Sequence, residues 1–433
     1  MYHGTLTTLV LALATNIAAQ QGTASVDLSK HHGPAKALGS GFIYGWPDNG
    51  TQIDTSIPDY LVAGIKFNAN RGGGAQFPSL GWARGGYEGY HGRFNSTLSN
   101  YRTTRKYNAE FILLPHDLWG ADGGQGSNSP FPGDNGNWTE MELFWNQLIS
   151  DLKAHNMLEG LVIDVWNEPD IDIFWDRSWP QFLEYYNRAT RLLRKALPGT
   201  LLSGPAMAHS PILSDDKWYT WLQSVAGNKT VPDTFSWHQI GDWEREPDST
   251  IPDFTTLRGQ YGVPEKSIDI NYVTTSEVWR ANWGGGSDLH NWMGNLIYST
   301  TGTSEGTYYP NGEWQVYKYY AAMAGQRLLT KASPDLKFDV FATKQGHKIK
   351  ILVGTRTVQA KYDVKISGLR AVELPKKGAV KVRTYRFDWA GPNGKVDRPI
   401  DLGEKRYTYS ANTLTLSVNP PTNATAFAYE FSI

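Results

Sequence analysis

Hydrophobic and polar positions follow two periods along the first three quarters of the chain. Short apolar runs at residues 41–46, 65–70, 111–115, 161–166, 201–204, 234–238 and 268–277 predict buried strands. Longer stretches with apolar residues three and four apart lie between them. Residues 138–157 predict a helix opening at Thr139, with Glu142 at the spacing of a capping box. In residues 181–197, Phe182, Tyr185, Tyr186, Ala189, Leu192, Leu193 and Ala196 share one helix face before Pro198-Gly199 ends it. Repeated strand–helix units argue for a parallel sheet, and seven or eight of them for an α/β fold of the (β/α)8 TIM-barrel type over residues 20–333. Two segments compete for the eighth strand. Residues 280–283 follow the seventh too closely for an ordinary crossover, and residues 295–301 leave room for a short helix.

The pattern changes after Pro334. Runs at 347–354, 362–366, 380–387, 413–418 and 426–431 alternate with turn residues at short spacing, with no helical period between them. They predict a small C-terminal antiparallel β-sandwich over residues 334–433, joined by a strand from residues 22–30.

Residues 161–170 read LVIDVWNEPD. The run is apolar on both faces apart from Asp164, as in a buried parallel strand. Pro169 cannot continue a ladder, so Glu168 falls at the carboxyl end of a strand, where barrel enzymes carry their chemistry. Cleaving a glycosidic bond needs an acid to protonate the leaving oxygen and a second carboxylate to attack the anomeric carbon or activate water. Glu168 is the first candidate. Glu277, ending the β-branched run of the seventh strand, is the second. Other strand ends place polar and aromatic groups nearby: Arg71 after the second strand, His116 and Asp117 after the third, His238 after the sixth. Tyr44, Trp46 and Trp283 are candidate platforms for a sugar face, and Asn167 and Trp166 flank Glu168.

Composition narrows the classes. A chain of 433 residues accommodates a large barrel and a smaller partner domain, and a net charge of −1 implies no nucleic-acid surface. The 17 Trp, 23 Tyr and 16 Phe suit a carbohydrate partner. There is no Cys, no zinc or EF-hand spacing, no phosphate loop and no nucleophile elbow, so neither metal nor cofactor is expected. Residues 1–19 have a short apolar core and a small-residue cleavage site, the pattern of a signal peptide. Sequons at Asn49, Asn95, Asn137, Asn228 and Asn423 agree with a secreted, extracellular glycoprotein, and no later segment is apolar enough for a membrane.

Taken together, these residues resemble clan A glycoside hydrolases, and within that clan family 39, which includes β-xylosidases and α-L-iduronidases. Trp166-Asn167-Glu168-Pro169-Asp170 is the most specific part of the likeness. The resemblance implies a retaining O-glycosyl hydrolase with Glu168 as acid/base and Asn167 on the 2-hydroxyl of the substrate. Arg71, His238 and Trp283 fall where such enzymes place a strand-two Arg, a strand-six hydrogen-bonder and a strand-eight Trp. The seventh strand departs from the pattern. Such enzymes often carry Asn-Glu-Tyr there, and this chain reads Asn271-Tyr272. Either Glu277 is the nucleophile in a shifted arrangement, or the stretch holding the nucleophile is absent, as in a catalytically impaired carbohydrate-binding homologue or a truncated isoform.

Overall fold

In the computed structural model, which describes residues 20–238, 247–271, 292–300, 308–356 and 358–433, the chain enters through a long strand β1 (Gln20–Pro34). It then builds a parallel sheet from β2 (Gly41–Ile43), β3 (Ala69–Gly72), β4 (Glu110–Leu113), β5 (Leu161–Asp164), β6 (Leu201–Met207), β7 (Thr234–His238) and β8 (Ser267–Asn271). The seven lie side by side in chain order, every pair parallel. Helices connect them: α1 (Asp59–Gly64), α2 (Gly81–Lys106), α3 (Pro115–Trp119), α4 (Thr139–Ala154), α5 (Trp179–Ala196), α6 (Asp216–Asn228) and α7 (Pro247–Gln260). Side chains bond across intervening strands, from Arg71 on β3 to Asp164 on β5 and from Asp164 to Ser236 on β7. The sheet is therefore curled, as in a TIM barrel.

Period-two alternation sorts the faces. Phe111, Leu113, Leu161, Ile163, Leu202, Phe235 and Trp237 point outward into one large core with Phe144 and Trp145 of α4, Tyr185 and Tyr186 of α5, and Trp218 and Trp221 of α6. Asp164, Ser203 and Ser236 point inward and bond to one another. Gly204 lies under Tyr186, whose hydroxyl would sit 2.6 Å from any Cβ added there.

Element ends differ from expectation for local reasons. The second strand starts at Ala69, because Ile65 and Phe67 are spent in a separate core with Trp46, Leu61 and Val62. The first stops at Ile43, because Tyr44 and Gly45 take positive φ (57° and 63°). The capping box expected at Thr139 does not form: Thr139 is already the first helical residue, and the Asn137 side chain accepts its N–H instead (3.0 Å). For α5, the Ser178 hydroxyl caps the Gln181 N–H and Pro180 occupies the first turn, so the helix begins earlier than residue 181.

The described part of the segment 295–301, residues 295–300, forms no eighth parallel strand. Its strand, β9 (Ile297–Tyr298), pairs antiparallel with β10 (Tyr309–Pro310). The Met293 N–H is bonded to the Gly45 carbonyl at the end of β2. The alternative segment, residues 280–283, lies outside the described residues.

After α8 (Gly312–Ala321) the chain forms β11 (Gln326–Lys331), β12 (Phe338–Gln345), β13 (Lys348–Thr355), β14 (Lys361–Ser367), β15 (Gly378–Phe387), β16 (Ile400–Tyr409), β17 (Thr413–Val418) and β18 (Ala426–Ser432). With β1 they make one continuous sheet in the order β16-β15-β18-β13-β12-β11-β1-β14-β17. Every pair is antiparallel except β1 with β14. Two separately bonded sheets, as expected for a sandwich, are not found among the described residues. The single sheet bends over a core of Val26, Phe338, Ile351, Val364, Leu416 and Tyr429. Phe338 of β12 and Tyr362 of β14, with two strands between them in that order, stack with centroids 4.8 Å apart.

Candidate active site

The carboxyl ends of β3 to β7 bring a set of polar side chains to one mouth of the curled sheet. Glu168 follows β5 and is 5% exposed. Its backbone has φ +43°, a left-handed conformation that costs an L side chain about 1–2 kcal/mol. The Glu168 N–H donates to the Ala206 carbonyl at the end of β6 (2.8 Å), so the turn stays tied to the neighbouring strand. Across the mouth, His238 Nδ1 of β7 lies 2.6 Å from Glu168 Oε1, with both side chains buried.

Beneath this pair is an ion-pair network. Arg71 of β3 directs Nε (3.0 Å) and Nη2 (2.7 Å) at Asp164 Oδ2, and Nη2 also reaches Asn167 Oδ1 (2.9 Å). Asp164 Oδ1 accepts from Ser203 (3.0 Å) and Ser236 (3.2 Å). Every carboxylate oxygen thus has a donor, the condition under which a fully buried charge is tolerated. Asp269 of β8, beside Ser236 in the strand register, is pushed up to about 6, chiefly by burial and then by the Asp164 charge.

His116 and Asp117 occupy the first turn of α3. Burial, then the Arg71 and Arg93 cations and His238, hold His116 well below its ordinary value, so its imidazole is neutral. Asp117 is pushed up to about 7 by burial and the Asp122 charge, against Arg93 and a hydrogen bond from the Tyr44 hydroxyl (2.8 Å). Gly73 gives this carboxyl its space; a Cβ there would meet Asp117 Oδ2 at 2.8 Å.

The expected site residues separate into groups. Glu168, Asn167, Arg71, His116 and His238 converge. Trp166 is 1% exposed, its ring 6.2 Å from that of His116. Its ring packs edge-on to Trp175 and Tyr185 in the outer core, and its Nε1–H donates to the Phe174 carbonyl (3.1 Å). Trp46 is 1% exposed, packed on Phe42, Phe67 and Tyr107 with Nε1–H bonded to Thr104 (2.9 Å). Both rings are packed in cores, so Trp46 does not offer the expected sugar platform. Glu277 and Trp283 lie outside the described residues. Sequence reasoning gave no role to Asp164, Asp170, Ser203, Ser236 or Asp269. The signal for Asp164 was present, as the one ionisable residue inside an otherwise apolar strand. Among the described residues no cluster of His, Asp or Glu could hold a metal ion, and no helix is long and apolar enough to cross a membrane.

No protein-family profile and no curated protein matches the chain. Solved structures do. A Neocallimastix frontalis protein, N2152, is 17% identical over 95% of this chain and 99% of its own, with a TM-score of 0.71. A glucosidase from Croceicoccus marinus is 14% identical over 96% and 99%, with a TM-score of 0.59. The GH39 enzyme from Xanthomonas axonopodis pv. citri is 13% identical over 97% and 99%, with a TM-score of 0.54. At such identities the likeness is one of fold, shared with the glucosidase and the GH39 enzyme over nearly the whole chain.

Proposed function

We propose that this protein is a secreted retaining glycoside hydrolase acting on a polysaccharide or its fragments. Glu168 protonates the leaving oxygen and then deprotonates the incoming water. Glu277 forms the covalent glycosyl intermediate, Asn167 holds a ring hydroxyl, and Arg71 orients Asn167 from below. The reaction needs two carboxyl groups and no cofactor. The observation that carries this reading is the placement of Glu168: at a strand end, buried, in a left-handed turn, and hydrogen-bonded to His238.

Replacing Glu168 with Gln is expected to abolish cleavage of glycosides with poor leaving groups and to spare activated ones, because a good leaving group departs with little proton donation. Equal loss on both classes contradicts the acid role. Glu277→Ala is expected to prevent covalent labelling by a fluorosugar inactivator, and undiminished labelling elsewhere in the chain assigns the nucleophile to another residue. Binding of glycans without turnover of any would make the protein a carbohydrate-binding homologue instead.

Export is part of the same reading. Asn49, Asn137, Asn228 and Asn423 are exposed, whereas Asn95 is half-buried within α2. Expression through a eukaryotic secretory pathway is expected to yield N-glycans at the four exposed sites, read by glycopeptide mass.

A further inference from the structure

Two βα loops are fastened together beside Glu168 by a residue that the reaction itself does not use. Asp170 follows Glu168 by two positions, and its side chain is 2% exposed. Its carboxylate accepts three N–H groups from the loop after β6: Ala208 N (2.7 Å), His209 N (3.0 Å) and His209 Nδ1 (2.7 Å). Its carbonyl accepts the Lys217 ammonium of α6 (2.7 Å). The loop it grips is anchored again where Trp218 Nε1–H donates to the His209 carbonyl (3.0 Å). This same stretch supplies the Ala206 carbonyl that accepts the Glu168 N–H, and Ala206 itself has φ +54°. Two left-handed residues therefore face each other across one hydrogen bond, Glu168 in the turn after β5 and Ala206 at the irregularity where the β6–β7 pairing skips from Pro205 to Met207. Short charge-assisted bonds to backbone N–H groups are among the stronger polar contacts available to resist their relaxation.

We infer that Asp170 is a positioning residue for Glu168, locking the two loops so that the acid carboxyl keeps its aim at the glycosidic oxygen. The inference rests on the glycosidase reading above for its consequence, and on the clamp geometry alone for its structural content. Asp164 with Arg71 fixes the chain four residues before Glu168, and Asp170 fixes it two residues after. The intervening turn carries the acid. A displacement near 1 Å at a reacting group costs on the order of 100-fold in rate. Loosening this end should therefore appear in turnover rather than in substrate affinity.

The test compares Asp170→Asn with Glu168→Gln. Asparagine keeps one acceptor oxygen but places an N–H2 group against the N–H donors. It is expected to lower kcat by roughly 10- to 100-fold, with KM nearly unchanged. The loss should fall more heavily on poor leaving groups, as in Glu168→Gln. A merely structural role would remove activity evenly across leaving groups, and that result overturns the inference. Hydrogen exchange supplies a readout independent of turnover: peptides spanning residues 165–171 and 205–210 should exchange about tenfold faster in Asp170→Asn, a shift equivalent to one decade in a local opening constant. Unchanged exchange there overturns the clamp, whatever the activity. If Asp170→Asn does not fold, His209→Ala carries the test, since it removes the ring nitrogen from the Asp170 carboxylate at a largely exposed side chain. Faster exchange in the same two segments supports the clamp and unchanged exchange refutes it. A uniform loss in Glu168→Gln sinks the acid assignment and leaves the exchange result standing, so the two failures are told apart.

Discussion

Replacing Arg71 with Ala removes the only cation within hydrogen-bond distance of Asp164 among the described contacts, while the carboxylate stays buried with two hydroxyl donors. Breaking such a pair by removing one partner costs about 3–5 kcal/mol, because the remaining charge is uncompensated. The variant can avoid that charge by keeping a proton on Asp164. Against an unfolded carboxylate that ionises near pH 3.9, holding the proton costs about 4 kcal/mol at pH 7 and about 1.5 kcal/mol at pH 5. The cheaper route therefore wins as the pH falls, and the deficit relative to the native protein should shrink by about 2–3 kcal/mol between pH 7 and pH 5. Urea unfolding followed by tryptophan fluorescence reads this as a difference between variant and native protein at each pH, which cancels the titration of groups that Arg71 does not influence. The double variant Arg71→Ala with Asp164→Asn carries no charge at position 164, so its deficit should change with pH far less than that of Arg71→Ala alone. A deficit below about 1 kcal/mol at pH 7, or one equal at both pH values, would refute the account of the network as a charge held by its partner.

Asp117 keeps its proton in the folded protein up to about pH 7, whereas the unfolded chain releases it near 3.8. The folded state binds more protons over that window, so this group's contribution to stability is full below 3.8 and is lost as pH rises to 7; Asp117→Asn should flatten the fall in urea midpoint over that range. Gly204→Ala drives a Cβ to 2.6 Å from the Tyr186 hydroxyl and should cost about 1–3 kcal/mol by overpacking, seen as a lower melting temperature. Trp46→Ala should cost about 3–5 kcal/mol through the cavity it leaves, with KM of the folded fraction unchanged; a raised KM at full folding would return this ring to the substrate site. Ser178→Ala should lower stability by about 1 kcal/mol through loss of the α5 cap.

The local pattern of residues determined a good deal. Strand–helix alternation identified the seven parallel strands, because a strand buried on both faces must be apolar along its length, and only Asp164 interrupts that rule in β5. Pro169 marked where β5 ends and hence where Glu168 stands. What the pattern missed has physical causes. β16 is exposed along nearly all of its length, so it shows no period-two signal. Trp46 and Trp166 carry the same ring whether they line a site or a core, and only the neighbours Phe67, Thr104, Trp175 and Tyr185 decide that they are core.

Tertiary structure alone decided the rest. Arg71 meets Asp164 from 93 positions away, and His238 meets Glu168 from 70. No local periodicity encodes such pairs, because they exist only once the sheet has curled and brought β3, β5 and β7 around one axis. The same closure set the electrostatics of the mouth: burial and the surrounding cations keep His116 neutral, and burial with a neighbouring carboxylate keeps the Asp117 proton in place. A side chain's type and strand position can be read along the chain, but its charge and its partner follow from what the fold packs around it.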